Sequence, residues 1–165
     1  ARGGACQYRG NYPLDPRGTR RRALMTVPVV VPDASVILKW VLPADDEPDV
    51  GRAVALRDAI LSGDVAARVP ALWYYEVGNT LARRFPDQAP HVLDVLSRFA
   101  LTGAPRTSAW LAVTLELTQR FGVTFYDASY HAHAITREGV FVTADERYVR
   151  RAGEAGFLVR LRDWS

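Results

Sequence analysis

From residue 27 onward, short runs rich in β-branched residues alternate with longer segments of helical spacing. This alternation restricts the fold more than any other feature of the sequence. A short apolar run bounded by turn residues reads as a buried strand, and an apolar period of three to four residues reads as the inner face of a helix. The pattern predicts strands at "VPVVV" (27–31), "VAARVP" (65–70), "VFVTA" (140–144) and "FLVRL" (157–161). It predicts helices over 35–42, 48–63 with Gly63 as a stop, 71–85 ended before Pro86, 89–103 and 108–122. "VTFYDASYHAHAITREG" (123–139) reads as extended first and helical from near Asp127, and a further helix follows "VFVTA". Such an order implies an α/β sandwich with a mainly parallel sheet and right-handed crossovers. Ligands of such sheets bind beyond the carboxyl ends of the strands.

Charge misleads at first sight. The net charge of +3 invites a nucleic-acid reading, but residues 1–24 hold six arginines against one acid, Asp15. That segment carries +5 and leaves −2 for residues 25–165, so any RNA contact of the body must come from local arginines rather than a global basic field. Residues 1–24 are rich in Gly, Arg and Pro, lack an apolar period, and read as a disordered basic extension before one folded domain, 25–165. The single methionine, Met25, stands where the pattern begins and is the expected natural start. One cysteine, Cys6, excludes an internal disulfide framework. No run approaches a membrane span and no signal-peptide pattern is present, so the expected location is cytoplasmic.

Four acids follow, or nearly follow, four segments predicted to be extended: Asp33, Glu76, Asp127 and Asp145. Each has a plain explanation. Asp33 and Asp127 suit N-caps, "TADE" has capping-box spacing with Thr143 as cap, and Glu76 suits a solvated helix face. Together they pose a harder problem. In a parallel sheet they can converge at one edge, where carboxylates repel one another and a hard divalent cation removes the conflict. A metal-bound water has a lowered pKa and can attack a phosphodiester. Asn79, one turn after Glu76, and Ser35 and Thr143, each two residues from an acid, are candidate supporting groups.

"VVVPDASVILKW", "PALWYYEVGNTLARR", "TFYDASYHAHAI" and "VFVTADERYVRRA" resemble the four motif blocks of PIN-domain ribonucleases, most closely the VapC-type toxins of bacterial toxin–antitoxin pairs. The likeness runs from about residue 27 to the C-terminus. It implies a PIN-like three-layer sandwich, with a mainly parallel sheet of four or five strands between helices. It implies Mg²⁺- or Mn²⁺-dependent endonuclease activity on RNA, with transfer RNA and ribosomal RNA both reasonable substrates. By the resemblance Asp33, Glu76, Asp127 and Asp145 form the catalytic and metal-ligating quartet, with Thr143 and Asn79 in support. A homodimer and a cognate antitoxin protein are the implied partners. Pro32 before Asp33, and His131 and His133 after Asp127, depart from the pattern.

Other constellations are weaker. His131 and His133 point to different faces of a helix, which argues against zinc, and His131 is a candidate substrate contact. Trp40, Trp73, Trp110 and Tyr74 are candidates for core packing or a partner groove. Arg83, Arg84, Arg147, Arg150 and Arg151 are candidates for an RNA path, with surface solvation the plainer reading of each. A phosphatase with an Asp nucleophile would want a second Asp at position 35, where Ser35 stands. A free-standing PIN nuclease in RNA processing and a non-catalytic PIN-like binding module are the remaining alternatives.

Overall fold

The computed structural model describes residues 27–42, 48–99 and 101–165. The basic extension, Met25 and Cys6 lie outside them. β1 (Val29–Pro32) leads into α1 (Ala34–Lys39), then α2 (Val50–Ser62), β2 (Ala66–Val69), α3 (Leu72–Arg84) and α4 (Ala89–Ser97). After these come β3 (Thr102–Gly103), α5 (Ser108–Phe121), α6 (Phe125–Ile135), β4 (Val140–Thr143), α7 (Glu146–Ala152) and β5 (Leu158–Arg160).

The five strands form one sheet in the order β3-β2-β1-β4-β5, and every pairing is parallel. β1 is central. Val30 and Val31 are buried, as are Phe141 and Val142 on β4 and Ala67 and Val69 on β2. The continuous burial along β1 and β4 is what helices flanking the sheet impose on its inner strands, whereas burial alternates along β2. α6 packs on β1 and β4, and α5 packs on α6. Ile37, Leu56, Leu81, Leu96 and Leu161 are fully buried. Each such side chain favours the fold by about 1.5–3 kcal/mol relative to exposure.

Two expectations are corrected. The segment 89–103 is not one helix: α4 stops at Ser97, and Thr102–Gly103 pairs with β2 as the sheet's edge strand. Segment 123–126 is not extended up to Asp127. Thr124 is the N-cap of α6 and its hydroxyl accepts from the Asp127 amide at 3.1 Å, so the helix begins at Phe125. The cap supplies an orphan helix donor with a partner that a strand would not offer.

The crossover from α6 to β4 turns at Gly139, whose amide donates to the Ala134 carbonyl at 2.9 Å. A Cβ there would stand 2.7 Å from the Val29 carbonyl oxygen and 2.9 Å from the Val29 Cβ. The backbone of the central strand cannot give way without disturbing its pairing on both sides. Gly139→Ala is expected to destabilise the fold by about 1–3 kcal/mol, the usual cost of overpacking, measured by chemical denaturation. An unchanged midpoint would show that β1 tolerates the shift.

Candidate active site

Asp33 emerges from the carboxyl end of β1. Pro32 has no N–H, and the Asp33 amide resumes the ladder by donating to the Val142 carbonyl at 3.1 Å. The residue's extended backbone makes it the N-cap of α1. Its Oδ1 accepts from the Val36 amide at 2.9 Å and the Ser35 hydroxyl at 2.6 Å, and its Oδ2 accepts from the Thr143 hydroxyl at 2.5 Å. The cap reading and the site reading therefore describe one geometry. Burial pushes the Asp33 carboxyl above its ordinary range, although the bonds from Ser35, Thr143 and Val36 oppose the rise.

Glu76 comes from α3, half-buried, and accepts from the Tyr130 hydroxyl of α6 at 2.5 Å. Its carboxyl is also raised, first by burial and then by the charges of Asp127 and Asp33. Asp127 lies in the first turn of α6, where the Thr124 hydroxyl donates to its Oδ2 at 2.7 Å. Tyr130 is buried, and its hydroxyl is pushed well above the usual phenol value by burial and by Glu76, Asp33 and Asp127. It therefore stays a donor. Three of the four predicted acids thus share one electrostatic neighbourhood around Tyr130.

Asp145 stands slightly apart. It, and not Thr143, is the N-cap of α7, with Oδ1 accepting from the amides of Arg147 at 2.8 Å and Tyr148 at 3.1 Å. Thr143 instead ends β4 and links two acids: its hydroxyl donates to Asp33 and accepts from the Asp145 amide at 2.9 Å. Asp145 and Asp127 line one depression of about 130 Å³, with Arg147, Tyr148 and Arg151. Among the described residues no three Asp, Glu, His or Cys side chains are grouped to ligate one ion directly. The donor chemistry still suits a hydrated hard cation, because Mg²⁺ is commonly held through one or two carboxylates with waters completing its shell. The repulsion of Asp33 and Asp127 on Glu76 is what a cation would relieve.

Asn79 is exposed, and among the described residues no hydrogen bond joins it to an acid. His131 is not a substrate contact. It is fully buried, stacked on Phe141, with Nε2 2.6 Å from the Gly156 carbonyl and Nδ1 3.0 Å from the Tyr148 hydroxyl. A carbonyl only accepts, so Nε2 carries the hydrogen and Nδ1 receives the Tyr148 proton. His133 is buried against Trp110 with ring centroids 5.2 Å apart, and burial lowers its pKa to about 4. Trp40, Trp73 and Trp110 belong to the core, whereas Tyr74 is 44% exposed. Sequence reasoning missed Tyr130, Thr124 and Tyr148 as site-forming residues. Tyr130 carried a signal: it follows Asp127 by three positions, on the same face of a helix.

The PIN domain model matches residues 30–154, and the chain belongs to the PIN domain family. PIN domains are generally nucleases and generally use divalent metal ions. Three solved structures share the fold. PAE2754 from Pyrobaculum aerophilum is 20% identical, with 84% of this chain and 92% of that chain covered and a TM-score of 0.58. VapBC2 from Rickettsia felis, bound to a DNA fragment from their promoter, is 12% identical, with 80% and 96% covered and a TM-score of 0.57. FitAcB from Neisseria gonorrhoeae is 17% identical, with 82% and 98% covered and a TM-score of 0.57. A search of curated proteins gave no match.

The raised carboxyls make a pH prediction. Below their ordinary values of 3.8 and 4.5, Asp33 and Glu76 are neutral and add full stability; this is lost as pH rises through their higher folded values. Buried His131 and His133, with lowered pKa values, act in the opposite direction, so a difference measurement is needed. With EDTA present, Asp33→Asn is expected to shift the melting temperature more favourably at pH 7 than at pH 4, each relative to wild type at that pH. An equal shift at both pH values would refute the burial penalty.

Proposed function

We propose that the protein is a metal-dependent endoribonuclease that hydrolyses RNA phosphodiester bonds and acts as the toxin of a toxin–antitoxin pair. The observation that supports this reading is that Glu76 accepts from the Tyr130 hydroxyl while the charges of Asp33 and Asp127 both bear on that pair. A binding module gains nothing from setting two further carboxylates where they raise the pKa of Glu76. In this reading Asp33, Glu76, Asp127 and Asp145 hold Mg²⁺ or Mn²⁺. When bound, such an ion supplies Lewis acidity and lowers the pKa of a coordinated water. Tyr130 holds Glu76, Ser35 and Thr143 hold Asp33, and Thr124 holds Asp127. Asn79 faces solvent, from where it can meet the RNA. The products are a 5′-phosphate and a 3′-hydroxyl, and transfer RNA or ribosomal RNA is the substrate.

The partners in this reading are a cognate antitoxin and a second copy of the chain. The likeness to VapBC2, solved on promoter DNA, supports the first. Exposed apolar side chains on neighbouring helices support a protein partner: Tyr75 on α3, Leu111 and Leu115 on α5, and Tyr126 on α6. Among the described residues no helix is long and apolar enough to cross a membrane. In this reading the protein acts on RNA in the cytoplasm.

The test is cleavage of RNA by the purified full chain with Mg²⁺ or Mn²⁺. Cleavage is expected to stop with EDTA and in Asp33→Asn. Tyr130→Phe, which frees Glu76 from its donor, is expected to lower the rate by about 10–100-fold, as loss of a ligand's supporting bond commonly does. Metal-independent cleavage, or full activity in Asp33→Asn, would sink the reading.

A further inference from the structure

The depression beside Asp127 and Asp145 is lined by two arginines that the proposed function has not used. Arg147 and Arg151 are four residues apart on α7 and share one of its faces. Nη1 of Arg151 donates to the Gly122 carbonyl at 3.0 Å, which anchors that side chain to the end of α5. Gly122 caps α5 at φ 61°, a conformation that suits glycine and turns this carbonyl to the arginine. Among the described residues the Arg147 side chain makes no hydrogen bond, and neither arginine forms an ion pair with Asp127 or Asp145. By contrast, Arg57, Arg98, Arg120, Arg160 and Arg162 are each paired with an acid of the chain.

The acids of the depression are held by other groups, Asp127 by the Thr124 hydroxyl and Asp145 by two backbone amides. Cations and carboxylates therefore line one cavity of about 130 Å³ without neutralising each other. A ligand that completes such a cavity must offer oxygens to the guanidiniums and positive charge to the acids. A phosphodiester accompanied by a divalent cation does both. A peptide carboxylate would engage only the arginines, and a nucleobase carries neither charge. One amide ties the two halves together, since the backbone N–H of Arg147 holds Asp145 while its side chain walls the cavity.

We propose that Arg147 and Arg151 bind the non-bridging oxygens of the RNA phosphodiester at the point of cleavage, as substrate-binding residues of the acidic edge. The proposal rests on the nuclease reading above. Their planar forks match phosphate geometry, and charge that grows on those oxygens during displacement falls beside them. Arg150, three residues from Arg147, does not line the cavity.

The experiment uses the full chain and a short fluorescent RNA with Mn²⁺, and compares Arg147→Ala, Arg147→Lys, Arg151→Ala and the control Arg98→Ala, each checked for folding by thermal melting. Arg147→Ala is expected to lower kcat by about 100-fold, the usual loss when one transition-state donor is removed, with a smaller change in KM. Added guanidinium ion should restore part of the rate, Arg147→Lys should retain part of it, and Arg98→Ala should match wild type. In an Asp33→Asn background, the salt dependence of RNA binding should weaken by about one phosphate contact on adding Arg147→Ala. Wild-type kcat in both Arg147→Ala and Arg151→Ala would overturn the proposal, and so would a rise in KM alone. A wild-type chain that cleaves no RNA would instead overturn the nuclease reading, and the proposal with it.

Discussion

The hydrogen bond from the Thr143 hydroxyl to the Asp33 carboxylate is the contact on which the acidic edge depends. It exists because β1 and β4 are parallel neighbours with Pro32 opposite Val142, which brings the next residues of both strands to the same height. Asp33 then caps α1, and Thr143 passes the connection to the amide of Asp145. A cap on an open surface would remain an ordinary carboxylate. Here burial raises its pKa, so the sheet that orients Asp33 also makes its charge costly.

The chain meets that cost with neutral groups. Ser35, Thr143, Thr124 and Tyr130 donate hydroxyls to Asp33, Asp127 and Glu76, and among the described residues no Arg side chain forms an ion pair with these acids. A hydroxyl fixes direction without cancelling charge. An arginine in the same place would fix direction and neutralise the acid at once. The negative potential of the edge therefore survives folding and is open to an external cation. Positive charge is held nearby, on α7, rather than on the acids themselves.

Much of this architecture was legible in the sequence because strands buried on both faces leave unmistakable apolar runs, as in "VPVVV" and "VFVTA". Asp33 and Asp145 were legible for a related reason: each closely follows such a run, at the end of β1 and of β4. The edge strand at Thr102–Gly103 was not, since two residues carry no period. The extended reading of 123–126 failed because Val123 and Phe125 look like strand residues while a single hydroxyl, that of Thr124, starts the helix. For Thr143 the sequence leaves a helix cap and a supporting bond to a carboxylate equally open, because spacing along the chain cannot reveal a partner 110 residues away. His131 looked available to substrate because a helix beside an acid has both a wet and a dry face. The partners that assign it to the dry one, Tyr148 and Gly156, come from later in the chain.

The same separation has a consequence for how the molecule comes into being. β1 is the central strand, yet its second neighbour, β4, comes more than a hundred residues later. Loop closure over that distance precedes any reward from the contact. A chain leaving the ribosome can form α1 to α5 and pair β2 with β1, but Asp33 has no Thr143 and Glu76 has no Tyr130 until the last quarter has emerged. The acidic edge is therefore incomplete in any nascent or truncated form that ends before Thr143. Its appearance marks a chain in which β4 has joined β1.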